Sequence, residues 1–396
     1  MLHDVSHEHP LVVQFRDNPY PLYHHLQATA PVQWNDVLGA WTLARYADVA
    51  HVLGDSRFSA DRTGGTDPMG GPLEAKSMLV SDPPDHTRLR TLVQKAFTPR
   101  MVEQLRPRIQ AIVDSLLDRA LERGPEMEVI ADLAYPLPVL VIAEMLGVPP
   151  EDRDTFREWS SAVAASLDPL LTESTVAHAA EAREALHAYL RGIIAQRRRE
   201  PRKDLISDLV AAEERGDVLS EPELVIMCTL LLIAGHETTV NLIGNGVQAL
   251  ARHPSAYQQL RDRPDLLVSA VEELLRFDSP VQLTARIATQ AVELGGKNIP
   301  AGDWVLPLLG AANHDAQQFA DPDTLKLDRN PNPHLAFGRG IHFCLGAPLA
   351  RLEGQIAIGS LVRRCSSIEL AGEPARRNQI TLRGLSKLPI RVRAVE

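Results

Sequence analysis

The chain has 396 residues, 44% of them hydrophobic, and a net charge of −10, with 41 Lys and Arg against 51 Asp and Glu. That length fits two or three ordinary domains or one large one, and the apolar share supplies a sizeable core. The acid excess argues against nucleic acid as a general partner, and three widely spaced cysteines (Cys228, Cys344, Cys365) make no disulfide framework.

The first ten residues, MLHDVSHEHP, carry neither a basic flank nor an apolar stretch, which predicts no signal peptide or anchor and a cytoplasmic protein. Residues 20–60 alternate a short helix (Pro21 to Thr29) with β-rich pieces such as GAWTLAR. The span from Asp61 to Pro84, rich in Gly, Pro, Asp and Met, reads as a long loop. From His86 to Val225 the pattern is helical, broken by Pro and Gly. Within it, the arginines of AQRRREPRK read as a solvated helix end, where cations suit the helix dipole.

The next helix opens on a capping box, Ser220 with Glu223, and runs to about Arg252, where Pro254 stops it. Its apolar run, Leu224 to Ala234, is too short to cross a bilayer and reads as buried. A helix from Pro264 to Phe277 follows. After Pro280 come strand-like pieces, then a glycine-rich loop and a last helix. The tail ITLRGLSKLPIRV reads as a hairpin. The fold class is mainly α with a minor β part. No linker or repeat breaks the chain, so residues 1–396 are expected to form one domain. Its β portion is expected at about 30–60, 283–310 and the terminal hairpin, its helical portion at about 86–280 and 345–364.

The stretch AFGRGIHFCLGAPLARLE sets one thiol, Cys344, among Gly338, Gly340 and Gly346. Free cysteines are mostly small buried hydrophobes. Here a helix begins just past the thiol, Pro348 fits its first turn, and Arg339 and His342 stand near, all of which favour a thiolate. The residues alone leave open a reactive nucleophile, with His342 as its base, or a metal ligand. A lone Cys excludes the usual four-ligand zinc or iron–sulfur sites unless partners come from far away. It suffices as the single thiolate of a haem iron.

FGRGIHFCLGAPLAR resembles the haem-binding signature of the cytochrome P450 family, Phe-x-x-Gly-x-x-x-Cys-x-Gly, through Phe337, Gly340, Cys344 and Gly346. The resemblance extends over nearly the whole chain and is strongest to soluble bacterial members acting on secondary metabolites such as macrolides. It implies the cytochrome P450 fold, with haem b between the helix at about 220–252 and the cysteine loop, and Cys344 as the axial iron ligand. AGHETT resembles the oxygen-activating motif, so Ala234, Gly235, Glu237 and Thr238 are the expected catalytic set. The small Ala234 and Gly235 would leave room, and His236 would pack on the far side. EELLR resembles the family's Glu-x-x-Arg, pairing Glu273 with Arg276, and Arg329 fits the third member. His86 and Arg90, at i and i+4, together with Arg286 and His342, match the propionate contacts. With Phe337, Gly338, Cys344 and Gly346 they form the expected cofactor set. Asp61 to Lys76, Ser161 to Ser174, Val281 to Thr284 and the GLSKL turn resemble pocket-lining segments.

The resemblance implies a haem-thiolate monooxygenase that inserts one oxygen atom of O2 into an apolar small molecule, by hydroxylation or epoxidation, in secondary-metabolite biosynthesis or xenobiotic oxidation. The chain shows no flavin or nicotinamide module, so electrons would come from NAD(P)H through a reductase and an iron–sulfur ferredoxin. Arg88, Lys95, Arg100 and Arg339 form a candidate basic patch for that acidic partner. A monomer is the default expectation. The rival readings are a peroxide-driven peroxygenase, a non-catalytic haem sensor or carrier, and a Cys-His hydrolase or transferase without haem.

Overall fold

The computed structural model describes residues 10–62, 66–67, 71–72, 76–149, 152–214 and 219–395. Its axis is the helix Glu221–Arg252, about 48 Å long at 1.5 Å per residue. Ser220 and Glu223 close the capping box at its start. Around it pack the helices Pro136–Leu146, Glu173–Arg199, Leu267–Phe277 and Ala347–Arg364. The apolar run of the central helix is spent on these neighbours: every residue from Leu231 to Ala251 is buried except Ala234, Gly235 and Thr238. This is the one described helix long and apolar enough to cross a membrane, and most of its apolar window is buried in protein.

A five-stranded sheet stands at one side. Its strands run in the order Val32–Asn35, Ala40–Leu43, Trp304–Pro307, Arg286–Ala288, Phe58–Ser59. It therefore joins the two expected β segments, and a separate apolar cluster including Leu43, Val49, Phe58, Ala288 and Val305 lies against it. The pairing of Ala40–Leu43 with Trp304–Pro307 is parallel, and the other pairings within the sheet are antiparallel.

Two expectations fail locally. The tail is not a hairpin: Leu385–Lys387 pairs with Ala375–Arg376, whereas Pro389–Ala394 pairs with Cys365–Leu370 and Glu126–Glu128. Only Leu388 lies between the two strands, too little for a reversal, which needs two residues or more. The chain instead crosses from one small sheet to another. Nor is the arginine run all solvated. Arg197 is 1% exposed; its Nε donates to Asp204 Oδ2 at 2.6 Å and its Nη2 to the Gly147 carbonyl. Arg198 is paired with Glu213 at 2.7 Å. The helix end is a clamp between elements because carboxylate and carbonyl acceptors arrive from outside the helix.

Candidate haem site

The cysteine loop is shaped by its glycines. Gly338 and Gly340 have φ of 69° and 74°, the left-handed region that other residues resist. A Cβ on Gly340 would stand 2.6 Å from the Leu53 carbonyl oxygen, so this turn also needs the missing side chain. The Cys344 N–H donates to the Phe337 carbonyl at 2.9 Å, tying the two ends of the loop. The helix Ala347–Arg364 starts just beyond, and N–H groups of Gly346 and Ala347 point at the sulfur. Burial pushes the thiol up, while those N–H groups, Arg90 and Arg351 draw it down. The residue still presents free surface.

Three supports hold the loop from behind. The Arg351 guanidinium lies 4.6 Å over the Phe337 ring and is bound by Glu272 at 2.7 and 2.8 Å. Glu272 also binds His334 and is held down to about 2, against the cost of burial. Glu273 takes two bonds from Arg276, each 2.8 Å, and two from Arg329 Nε at 3.1 and 3.0 Å. All three side chains are buried. The arginines spend their other N–H groups on carbonyls of Asn313, Ala320, Asp321, Pro322 and Thr324, so the charges are fully bonded, as burial demands. The expected triad is thus assembled.

The four expected carboxylate contacts converge. His86 and Arg90 share one face of Asp85–Val93. The His86 and His342 rings lie 4.3 Å apart, and the Nε2 of each is buried with no hydrogen-bond partner. Such orphaned polar atoms are rare in a folded protein, and each could donate to an anionic group placed there. Arg90 Nη2 reaches the Phe343 carbonyl at 2.7 Å, next to the cysteine. Arg286 is 7% exposed, and burial together with Arg62 lowers it to about 10. Burial and Arg286 hold His342 near 3, so it is a neutral donor. One buried cation, one half-buried cation and two orphaned imidazoles suit a pair of anionic groups, and the thiolate would supply an iron ligand. These residues fit haem. The sequence reading missed Asp82, which binds Ser59 and the Ala60 N–H and stands close to His342 and Arg286, and Arg62 beside Arg286. No local motif marks either.

On the central helix, Ala234 and Thr238 are one turn apart on the accessible patch, with Thr238 Oγ1 donating to the Ala234 carbonyl at 3.2 Å. Gly235 differs from expectation. A Cβ there would stand 2.8 Å from Ile142 Cγ1, so its smallness also serves close packing with Pro136–Leu146. Glu237 is turned inward, 1% exposed. It accepts from Ser161 Oγ at 3.0 Å and from Arg377 Nη1. His236 lies on the same side, its Nδ1 donating to the Leu232 carbonyl at 2.7 Å and its Nε2 3.1 Å from Ser160 Oγ. It packs, as expected. Arg377 was not foreseen, because 140 residues separate it from Glu237. Of the pocket-lining expectations, much of Asp61 to Lys76 lies outside the described residues. Asp168 is buried and binds the N–H groups of Ile380 and Thr381, tying the Ser161 to Ser174 segment to the tail.

A thiol on a glycine-shaped loop, backed by orphaned imidazoles and buried arginines under a mostly helical scaffold, defines a haem-thiolate protein. Residues 154–392 match the cytochrome P450 family model. Cytochrome P450 monooxygenase PikC of Streptomyces venezuelae is 44% identical over 391 residues, covering 96% of this chain and 92% of that protein. Vitamin D(3) 25-hydroxylase of Pseudonocardia autotrophica is 45% identical over 387 residues, covering 95% and 94%. The crystal structure of CYP109E1 from Bacillus megaterium with testosterone superposes with a TM-score of 0.90 at 40% identity, covering 95% and 98%. The chain belongs to the cytochrome P450 family. It is an oxidoreductase, a haem monooxygenase that takes an organic substrate, O2 and a redox partner.

Proposed function

We propose that this enzyme oxidises an apolar small molecule of the secondary-metabolite class, by hydroxylation or epoxidation. A relative named vitamin D(3) 25-hydroxylase, and a solved relative in complex with testosterone, support a sizeable apolar substrate. Haem b, held by the Cys344 thiolate, would supply the oxygen chemistry, which a thiolate ligand favours by donating electron density. His86, Arg90, Arg286 and His342 would hold its two carboxylates. Phe337, Gly338 and Gly346 would form the bed of the ring; a Cβ on Gly346 would meet no protein atom within 4 Å. Ala234 would leave room on the accessible patch of the central helix, while the missing side chain of Gly235 is taken up by packing on Ile142. Thr238 and Glu237 would hold water and pass protons, the hydroxyl at the patch and the carboxylate behind it.

Electrons would come from NAD(P)H through a reductase and an acidic iron–sulfur ferredoxin. Lys95, Arg100 and Arg339 are exposed, and so are the apolar Met101, Ile341 and Phe343, an arrangement suited to an apolar contact with a cationic rim. Arg88 fits this role poorly, since it is already bound to Glu223 at 2.6 Å and Asp85 at 3.0 Å. The chain would act as one domain, residues 1–396, as a cytoplasmic monomer.

The observation that carries the site assignment is the pair of orphaned Nε2 atoms on His86 and His342 beside buried Arg286. A His86→Ala, His342→Ala variant is expected to lose haem on gel filtration while keeping its helical circular dichroism. Full haem retention overturns the assignment. Turnover with peroxide, and none with ferredoxin and NAD(P)H, would favour the peroxygenase reading instead.

A further inference from the structure

Away from the Cys344 loop, His24, His314 and Asp323 bring three ligand atoms within 4.8 Å of one another. His24 projects from the helix Tyr20–Thr29, His314 follows the short helix Leu309–Ala312, and Asp323 lies in the next loop. Asp323 Oδ1 is 3.0 Å from His24 Nε2 and 2.9 Å from His314 Nδ1.

The second observation is how the His314 ring is held. Its Nε2 lies 2.9 Å from the Phe277 carbonyl. A carbonyl only accepts, so Nε2 carries a hydrogen, and Nδ1 is left facing the carboxylate at 2.9 Å. Either a second ring proton or a metal cation stands between that nitrogen and the carboxylate, and a bound metal takes the place of the proton. A ring nitrogen that ligates a metal while the other N–H is fixed by a backbone carbonyl is the usual arrangement of a metal-bound histidine. His314 is 2% exposed and stacked on Tyr20 with ring centres 4.2 Å apart, so its orientation is set in advance.

We propose that His24 Nε2, His314 Nδ1 and the Asp323 carboxylate form a binding site for a divalent transition-metal ion of the zinc class. Two imidazoles and one carboxylate suit Zn2+, Co2+ or Ni2+, and not Ca2+ or Mg2+, which take oxygen ligands. At metal–ligand distances of about 2.0–2.2 Å, the exposed side chains of His24 and Asp323 need only a small rotation. Their exposure, 38% and 62%, gives the ion an entry path and a water a fourth position.

The ion would act on the fold and stand apart from the oxygen chemistry. Asp323 lies between Pro322 and Thr324, whose carbonyls accept from Arg276 at 2.8 and 3.5 Å. Metal bridging to His24 would staple the helix Tyr20–Thr29 to the loop that satisfies the buried arginines behind the cysteine loop. A ligand that binds only the folded state raises its stability.

The test uses the tag-free, haem-loaded full chain, dialysed to equilibrium against micromolar Zn2+, with bound metal measured by mass spectrometry. The wild type is expected to bind one more equivalent of zinc than either His24→Ala or Asp323→Asn. Zn2+ should raise its thermal midpoint and leave that of the variants unmoved, and Mg2+ should do neither. Both substitutions are at exposed positions, and an unchanged haem absorption spectrum confirms that each variant is folded. Equal zinc in wild type and both variants, or none in the wild type, overturns the proposal.

Discussion

Glu237 on the central helix is bound by Arg377 of the C-terminal segment, 140 residues away in sequence. Burial works against the charge on Glu237, yet bonding to His236 and the field of Arg377 hold the carboxyl down to about 2. Thr238, one residue on, donates instead to the Ala234 carbonyl. The carboxylate and the hydroxyl are therefore held apart, each with its own partner, and a proton passing between them needs water or a side-chain rotation.

Removing the Arg377 cation should raise the carboxyl. In Arg377→Gln the acid limb of kcat is expected to move up into the range pH 5–7, roughly where a buried carboxyl without a cation titrates. The wild type should show no such limb down to pH 4. KM for substrate should change less than about twofold, because uniform binding is untouched. A profile superimposable on that of the wild type would mean that Arg377 only props the tail.

Gly340 carries the tightest demand in the cysteine loop. Gly340→Ala must adopt φ near 74° and place its Cβ 2.6 Å from the Leu53 oxygen. The left-handed conformation alone costs roughly 1–2 kcal/mol for a residue with a Cβ, and the backbone contact adds to it. Chemical denaturation should show a loss of about 2 kcal/mol or more with accelerated haem release. Gly346→Ala, which meets no protein atom and has a negative φ, should leave the denaturation midpoint of the haem-free chain unchanged.

Glu353 sits on the helix after Cys344, 1% exposed, with both carboxyl oxygens unbonded and Thr239 near. Burial raises it well above the ordinary carboxyl value of 4.5. The sign follows from linkage. A carboxyl protonated in the fold and ionised in the unfolded chain favours unfolding increasingly as pH rises above 4.5. Glu353→Gln removes that dependence. Its thermal midpoint relative to the wild type should be near zero at pH 4 and should climb steadily to pH 8. A constant difference across that range would show that Glu353 is ionised in the fold.

What could be read from the sequence is what lies close together along the chain. The loop around Cys344, AGHETT, and Glu273 with Arg276 all have their spacing set within one turn or one helix; the structure pairs Glu273 with Arg276 and sets Ala234 and Thr238 on one patch, but it packs Gly235 on Ile142 and turns Glu237 inward. Arg377, Asp82, Arg62 and Arg351 were invisible because each meets its partner only through tertiary packing. Arg197 was misread for the same reason. The helix-dipole argument for a solvated cation is local, whereas Asp204 and the Gly147 carbonyl come from other elements. The tail failed as a hairpin because alternation along a strand says which face is buried and nothing about which strand lies beside it.

Electron delivery separates two kinds of arginine that look alike in sequence. Arg339 is exposed and takes no carboxylate partner among the described residues, whereas Arg88 is held by Glu223 and Asp85. Charge reversal at Arg339 should therefore act on encounter, and reversal at Arg88 on the fold. For Arg339→Glu the rate of first reduction by an acidic ferredoxin should fall about tenfold at low ionic strength. The gap should close as salt rises, since exposed charges are screened over about 8–10 Å at physiological salt. The thermal midpoint should not move. For Arg88→Glu, two carboxylates lose their cation and gain a like charge, so the midpoint should drop while the salt dependence of reduction stays that of the wild type. A reduction rate insensitive to salt in the wild type, and equal in Arg339→Glu, would place the donor on another face.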